Sequence, residues 1–277
     1  MLKAKWSSNL SDICAPRFTH LWWAAAAGVF LPACSGGDDA APAAAASPPA
    51  AVAVVCDDTM KTAFKPDANT TVTFVKAFKQ GDPLALAGTP ASPPPPVAAS
   101  DVCLVKLNVG PGNPGPAGAP STSAGVGVEV WLPSTAQWNG RNRNVGDGGY
   151  AGSAAVSSLT ELRSDIAGWA TERKYVSSIS DSGHVNQVGV SAGAFAMNPD
   201  RSVNTVLWND LSTRALHELA DKTKALAAAY YGKLPAYSYY AGCSGGGALV
   251  MPRHSPIRGT STAFWPKHRR STRRSSF

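Results

Sequence analysis

Gly242-Cys243-Ser244-Gly245-Gly246 has the spacing Gly-x-Ser-x-Gly. That spacing belongs to a sharp strand-to-helix turn, which lifts a serine hydroxyl clear of the backbone as a nucleophile. The run Tyr237-Ser238-Tyr239-Tyr240 ahead of it is strand-like, the context such a turn needs. Acyl transfer by serine also requires a histidine to take the hydroxyl proton and an acid to orient that histidine. His254 and His268 follow the serine, but no Asp or Glu occurs in the 56 residues after Asp221. The nucleophile is spelled out and its partners are not.

The surrounding elements fit an α/β sheet domain. Thr70 to Phe78 carries β-branched and aromatic residues suited to a strand. Val102 to Val109 predicts a second strand, with Cys103, Val105, Leu107 and Val109 alternating on one face. Gly127 to Leu132 predicts a third, ended by Pro133, and Tyr175 to Ile179 a short buried one. Gly88 to Ser100 and Gly110 to Gly125 are Gly/Pro-rich loops, and Asn144 to Gly149 is a glycine-rich turn segment. Ile166 to Arg173 has helical character. The longest periodic segment runs from Leu211 to Tyr231, with Leu211, Ala215, Leu219, Thr223, Leu226 and Tyr230 on one face. Asp210 is positioned to cap it, Glu218 and Lys222 form an i,i+4 pair, and Gly232 ends it. A helix, then a strand, then the serine turn is βα alternation, which favours an α/β fold.

The net charge of +7 does not describe the body of the chain. Residues 1–252 contain 18 basic and 18 acidic side chains, and the surplus is seven Lys/Arg in the last 25 residues. Residues 252–277 therefore read as a basic, disordered tail. It has no aromatic interleaving and no folded reader, so no nucleic-acid partner is expected. At the other end, Lys3, Lys5 and Arg17 precede an apolar run from Leu21 to Leu31, too short to cross a bilayer. Residues 1–33 read as an export signal, and Leu31-Pro32-Ala33-Cys34 resembles a bacterial lipoprotein signal that would acylate Cys34. The expected location is the periplasm or the outer membrane, through a lipid anchor at Cys34, with secretion as the alternative. Residues 34–53 are an Ala/Pro-rich tether and 54–251 the folded domain. Of five cysteines, Cys14 falls in the signal. In an oxidising compartment Cys56 and Cys103 are natural partners, closing a loop worth ~4 kcal/mol in the chain-entropy model. Cys243 is left over beside the serine.

Several segments occur in the order of one family's motifs. Gly127-Val-Glu-Val-Trp-Leu-Pro133 with Trp138-Asn139-Gly140, Val145-Gly-Asp-Gly-Gly-Tyr-Ala-Gly152, Ser180-Asp-Ser-Gly-His184 and the serine turn itself resemble the tannase and feruloyl esterase family. The resemblance covers about residues 56–247. It implies an α/β-hydrolase fold and hydrolysis of phenolic acid esters through an acyl-enzyme on Ser244. It implies oxyanion donors from the backbone N–H of Gly245 and of the Gly148-Gly149 turn, with Gly149 the second donor. Such donors are worth ~3 kcal/mol each in related hydrolases. In the family, Cys243 would pair with a cysteine beside the catalytic histidine. Asp181 and His184 take supporting roles, because the family's base follows the serine.

After Gly247 the resemblance stops. The family continues into a helix beneath the nucleophile, more sheet, a lid with a calcium site, and the triad acid and base. Here Pro252, Pro256 and Pro266 interrupt the chain, and a proline inside a helix costs ~3 kcal/mol. The implied fold is thus an incomplete α/β-hydrolase sheet with an N-terminal β-rich segment. No metal or other cofactor is expected in this chain, and specificity would lie largely in the lid. The expectation is a truncated, inactive esterase, or one read out of frame past Gly247. The competing class is a non-enzymatic surface lipoprotein acting as a binding module. A single-base slip near codon 247 that restores family-like residues supports the frame reading; a clean frame without such a continuation contradicts it.

Overall fold

The computed structural model describes residues 53–86, 93–113, 123–150, 152–185, 193–248 and 263–266. The proposed export signal, Cys34, most of the tether, His254 and His268 lie outside the described residues.

A short helix, α1 (Met60–Ala63), precedes strands β1 (Thr70–Phe78), β2 (Val102–Val109) and β3 (Val126–Pro133). These form an antiparallel meander in which Val105 pairs with Val75 on one side and Val130 on the other. Strand β4 (Arg141–Gly146) follows, then α2 (Ala154–Ser157), α3 (Ser164–Thr171) and β5 (Val176–Ser180). A helical run then contains α4 (Thr205–Asn209), a π-turn at Asp210–Arg214 and α5 (Ala215–Tyr231). It leads to β6 (Tyr237–Gly242), α6 (Gly245–Ala248) and β7 (Ala263–Pro266). The sheet order is β1-β2-β3-β5-β4-β6-β7. It is antiparallel from β1 through β5 and parallel across β5, β4, β6 and β7.

Both faces of β2 and β3 are buried. Cys103, Val105, Leu107 and Val109 face the layer of α5, where Leu219, Leu226 and Ala227 cover them. Val102, Leu104 and Trp131 face the other way, toward Ile166, Ala167 and Ala170 of α3. The alternation read from the sequence is therefore present, with apolar residues on the second face as well. Two charges lie inside this sandwich. Lys106 and Glu129 are register partners on β2 and β3, are fully buried, and pair at 3.1 Å. Lys106 Nζ also donates to the carbonyls of Ala155, Ser158 and Glu161 at 2.6–2.7 Å. Glu129 Oε1 accepts from Trp131 Nε1 at 2.7 Å and from the Arg163 N–H at 2.9 Å. A buried ion pair is tolerated only when such bonds replace lost water. This one folds the segment after α2 down onto the sheet.

Three sequence expectations need correction. Arg141–Gly146 is a central strand, although Arg-Asn-Arg-Asn has little strand propensity. It is held by parallel partners on both sides and by Ser178 Oγ, which donates to Asn144 Oδ1 at 2.9 Å. Asp210 does not cap the long helix. The helical run starts earlier, at Thr205, where Asn204 Oδ1 accepts the Leu207 N–H at 3.2 Å, and the π-turn carries the chain through Asp210. Ala263–Pro266, inside the stretch read as a disordered tail, pairs in parallel with β6. Its Ala-Phe-Trp-Pro sequence contains two residues of high strand propensity.

Cys56 and Cys103 form the expected disulfide. It ties the segment leading into α1 to β2. Replacing both cysteines by alanine is expected to lower the unfolding free energy by about 4 kcal/mol in urea titrations. An unchanged midpoint contradicts this.

Candidate active site

The C-terminal ends of β4 and β6 are adjacent, with Gly146 paired to Gly242. Each strand ends in a glycine-rich turn, and the two turns pack backbone to backbone. Ser244 lies at φ +54° between β6 and α6 and is exposed. A non-glycine residue in the left-handed region is uncommon and persists where the surrounding structure forces it. The forcing contacts can be named. A Cβ on Gly242 would lie 2.6 Å from the carbonyl carbon and oxygen of Gly246. A Cβ on Gly246 would lie 2.6 Å from the Gly146 carbonyl carbon and overlap the Asp147 carbonyl oxygen. The turn is therefore tight by contact, and Ser244 takes the strained corner.

The same contacts bring the two expected oxyanion donors together. A Cβ on Gly245 would overlap the Gly149 backbone, 2.7 Å from its nitrogen. A Cβ on Gly148 would lie 3.9 Å from Ser244 Cβ and 3.7 Å from the Cys243 carbonyl oxygen. Ser244, Gly245 and Gly149 thus meet at one corner. Tyr240 braces it from β6: its buried hydroxyl donates to the Gly246 carbonyl at 3.0 Å, and burial first, then the Asp147 charge, hold that phenol neutral. Cys243 is a free, exposed thiol next to Ser244.

Asp181 and His184 stand behind the second turn. His184 Nε2 meets the Tyr150 carbonyl at 3.0 Å and Nδ1 meets the Ser182 carbonyl at 3.3 Å, while its ring stacks on Phe195 at 3.8 Å. The imidazole is thus engaged in holding the chain just past Gly149. Asp181 Oδ1 accepts the N–H groups of Gly127 and Gly183 at 2.9 and 2.8 Å, and Oδ2 accepts the Ser157 hydroxyl. It joins β3, β5 and α2. Among the described residues, no hydrogen bond links Ser244 to a histidine, and no group of His, Cys, Asp and Glu is arranged to hold a metal ion. A small cavity lined by Gly149, Ser182, Leu211, Ala215 and Tyr240 lies between the second turn and the long helix. Gly246 of the serine turn lines it as well, whereas Ser244 is not among its lining residues.

Sequence reasoning missed Asp147 and Arg163. Arg163 Nη1 and Nη2 donate to Asp147 Oδ2 and Oδ1 at 2.6 and 3.0 Å, a forked pair next to Gly148 and Gly149 in sequence. The signal was the lone charged side chain within Gly-Asp-Gly-Gly, but its partner lies 16 residues away.

A mixed sheet with helices on both faces and a serine at the β6–α6 corner defines an α/β-hydrolase-type fold. The comparisons agree. Residues 117–254 match the family described as tannase and feruloyl esterase, and through this stretch the chain belongs to that family. A probable feruloyl esterase of Arthroderma benhamiae is 32% identical over 191 residues, which cover 66% of this chain and 32% of that protein. Feruloyl esterase C of Talaromyces stipitatus is 29% identical over 69% of this chain and 31% of its own length. The crystal structure of feruloyl esterase B from Aspergillus oryzae superposes with a TM-score of 0.50 at 25% identity, over 70% of this chain and 32% of that one. The chain spans about a third of the length of these relatives.

Burial raises the Asp181 carboxyl to about 7, against the lowering effect of its hydrogen bonds, and Asp210 adds repulsion. Between about pH 4, where the unfolded carboxyl ionises, and 7, the folded state keeps a proton that the unfolded state has lost. Asp181 therefore favours folding least above pH 7. In Asp181→Asn the amide oxygen can keep both N–H groups and the amide nitrogen can donate to Ser157. The stability of this variant minus that of the wild type is expected to rise from pH 4 to 7, by at most about 1.4 kcal/mol per unit, and then level off. Urea titrations across this range check it, and a flat difference contradicts it.

Proposed function

We propose that this chain is a carboxylic ester hydrolase of the tannase and feruloyl esterase type, with Ser244 as the nucleophile toward phenolic acid esters. The observation that carries the reading is the left-handed, exposed Ser244 set against Gly149 and Gly245. Ser244 Oγ attacks the ester carbonyl and the N–H groups of Gly245 and Gly149 receive the developing oxyanion. The alcohol departs to leave an acyl-serine, and water then releases the acid. The names of the relatives support the phenolic class.

A base must take the Ser244 proton. His184 is held by the Tyr150 and Ser182 carbonyls, His254 and His268 lie outside the described residues, and among these 277 residues no carboxylate follows Asp221 to orient either. We propose that the 277-residue chain by itself does not turn over, a deficit of ~10⁴–10⁶ relative to a complete triad. The export signal and the Cys56–Cys103 bond support a location outside the cytoplasm, with Cys34 as the site of a lipid anchor in the outer membrane. The non-enzymatic binding-module reading remains the alternative to be tested.

An activated ester such as p-nitrophenyl ferulate separates these readings. The expected result is slow acylation of Ser244, found by peptide mass spectrometry, reaching at most one p-nitrophenol per chain and absent in Ser244→Ala. The assay is run in Cys243→Ser, because the neighbouring thiol competes for acyl groups. A cooperative melt with no labelling of Ser244 above other serines favours the binding module. Multiple turnovers that depend on Ser244 contradict the proposed lack of turnover.

A further inference from the structure

In Gly146-Asp147-Gly148-Gly149 only Asp147 carries a side chain, so only Asp147 can fix the turn by anything beyond backbone packing. Glycine surrenders the most conformational freedom on folding, and a turn made of it needs an anchor. Among the described residues, the hydrogen-bond donor to the Asp147 carboxylate is Arg163, which grips both oxygens. The Arg163 fork is fully committed. Nε and Nη2 donate to Asp165 Oδ1 and Oδ2 at 2.8 and 2.7 Å, and Nη1 also reaches Ser153 Oγ at 3.3 Å. All five N–H bonds of the guanidinium are thereby used. Its main chain is fixed too, because the Arg163 N–H donates to Glu129 Oε1, whose carboxylate pairs with buried Lys106. The side chain is four-fifths buried, so this is not a loose surface pair.

We infer that Arg163 is a positioning residue, which sets where the Gly148 and Gly149 N–H groups stand relative to Ser244. The esterase reading supplies the reason this placement matters, but the placement does not depend on catalysis. A continuous route runs from the Lys106–Glu129 pair through the Arg163 backbone and guanidinium to Asp147. The Asp165 contact already secures the start of α3, so the Asp147 contact is surplus to the helix. Lysine cannot replace the fork, since an ammonium presents no planar pair of donors.

The test is ¹⁵N relaxation of the full 277-residue chain in Arg163→Lys, Arg163→Met and Asp147→Asn, with thermal melts in parallel. The expected result is a fall in the Gly148 and Gly149 order parameters from about 0.85 to below about 0.6 in all three, with β4 and α3 staying rigid. Arg163→Lys separates positioning from stability. It should melt within a few degrees of wild type yet loosen the turn as much as Arg163→Met does. If Arg163→Met fails to fold, Arg163→Lys and Asp147→Asn carry the test. Rigid glycines in the folded variants, or loosening shared equally with residues 164–167, overturn the inference. Ser244→Ala should leave the turn rigid. Failure of Ser244 acylation with these dynamics intact would sink the esterase reading and leave this one standing.

Discussion

Two glycine-rich turns at the ends of neighbouring parallel strands occupy space that no side chain could share. Gly242 and Gly246 close one turn on itself, Gly246 presses on Gly146 and Asp147, and Gly245 presses on Gly149. The geometry around Ser244 follows from that crowding. It drives Ser244 into the left-handed region and places the Gly149 backbone beside Gly245. Strand pairing enforces the approach, because β4 and β6 are in register up to Gly146 and Gly242.

The rest of the fold can be seen as support for these strand ends. On one face, Thr223 of α5 donates to Ser178, and Ser178 donates to Asn144, a polar line that ties helix, β5 and β4. On the other, Lys106 and Glu129 gather the segment after α2 and hold Arg163 at the start of α3. His184 grips the Tyr150 carbonyl immediately after the second turn. Burying a charge pair and several polar side chains in a domain this size is costly unless each is satisfied. Lys106 Nζ is satisfied by the carbonyls of Ala155, Ser158 and Glu161, and Ser178 by its side-chain partners Thr223 and Asn144.

What could be read from the sequence had a local signature. The β-branched runs of β1, β2 and β3 and the 3.6-residue period of α5 fixed those elements, the serine turn stood out by spacing, and Gly148-Gly149 by its resemblance to a family motif. The illegible parts depend on partners distant in sequence. Arg-Asn-Arg-Asn makes a strand only between β5 and β6. Asp210 sits within a π-turn that propensity does not announce, because the helical run is started by Asn204 six residues earlier. Lys106 and Glu129 look like exposed charges until both sheet faces are found covered. Arg163 reads as an ordinary surface charge before a helix until Asp147 is brought against it.

The contact between Gly246 and the β4 turn is the most direct point of attack, because the Gly246 φ lies outside the left-handed region and an alanine there meets only the crowding. Unfolding free energies of Gly246→Ala and of Gly193→Ala, whose added Cβ meets nothing within 4 Å, should be measured side by side. The expected result is a loss of about 2 kcal/mol or more at 246, against well under 1 kcal/mol at 193. Equal tolerance at both positions would contradict a corner built by backbone packing.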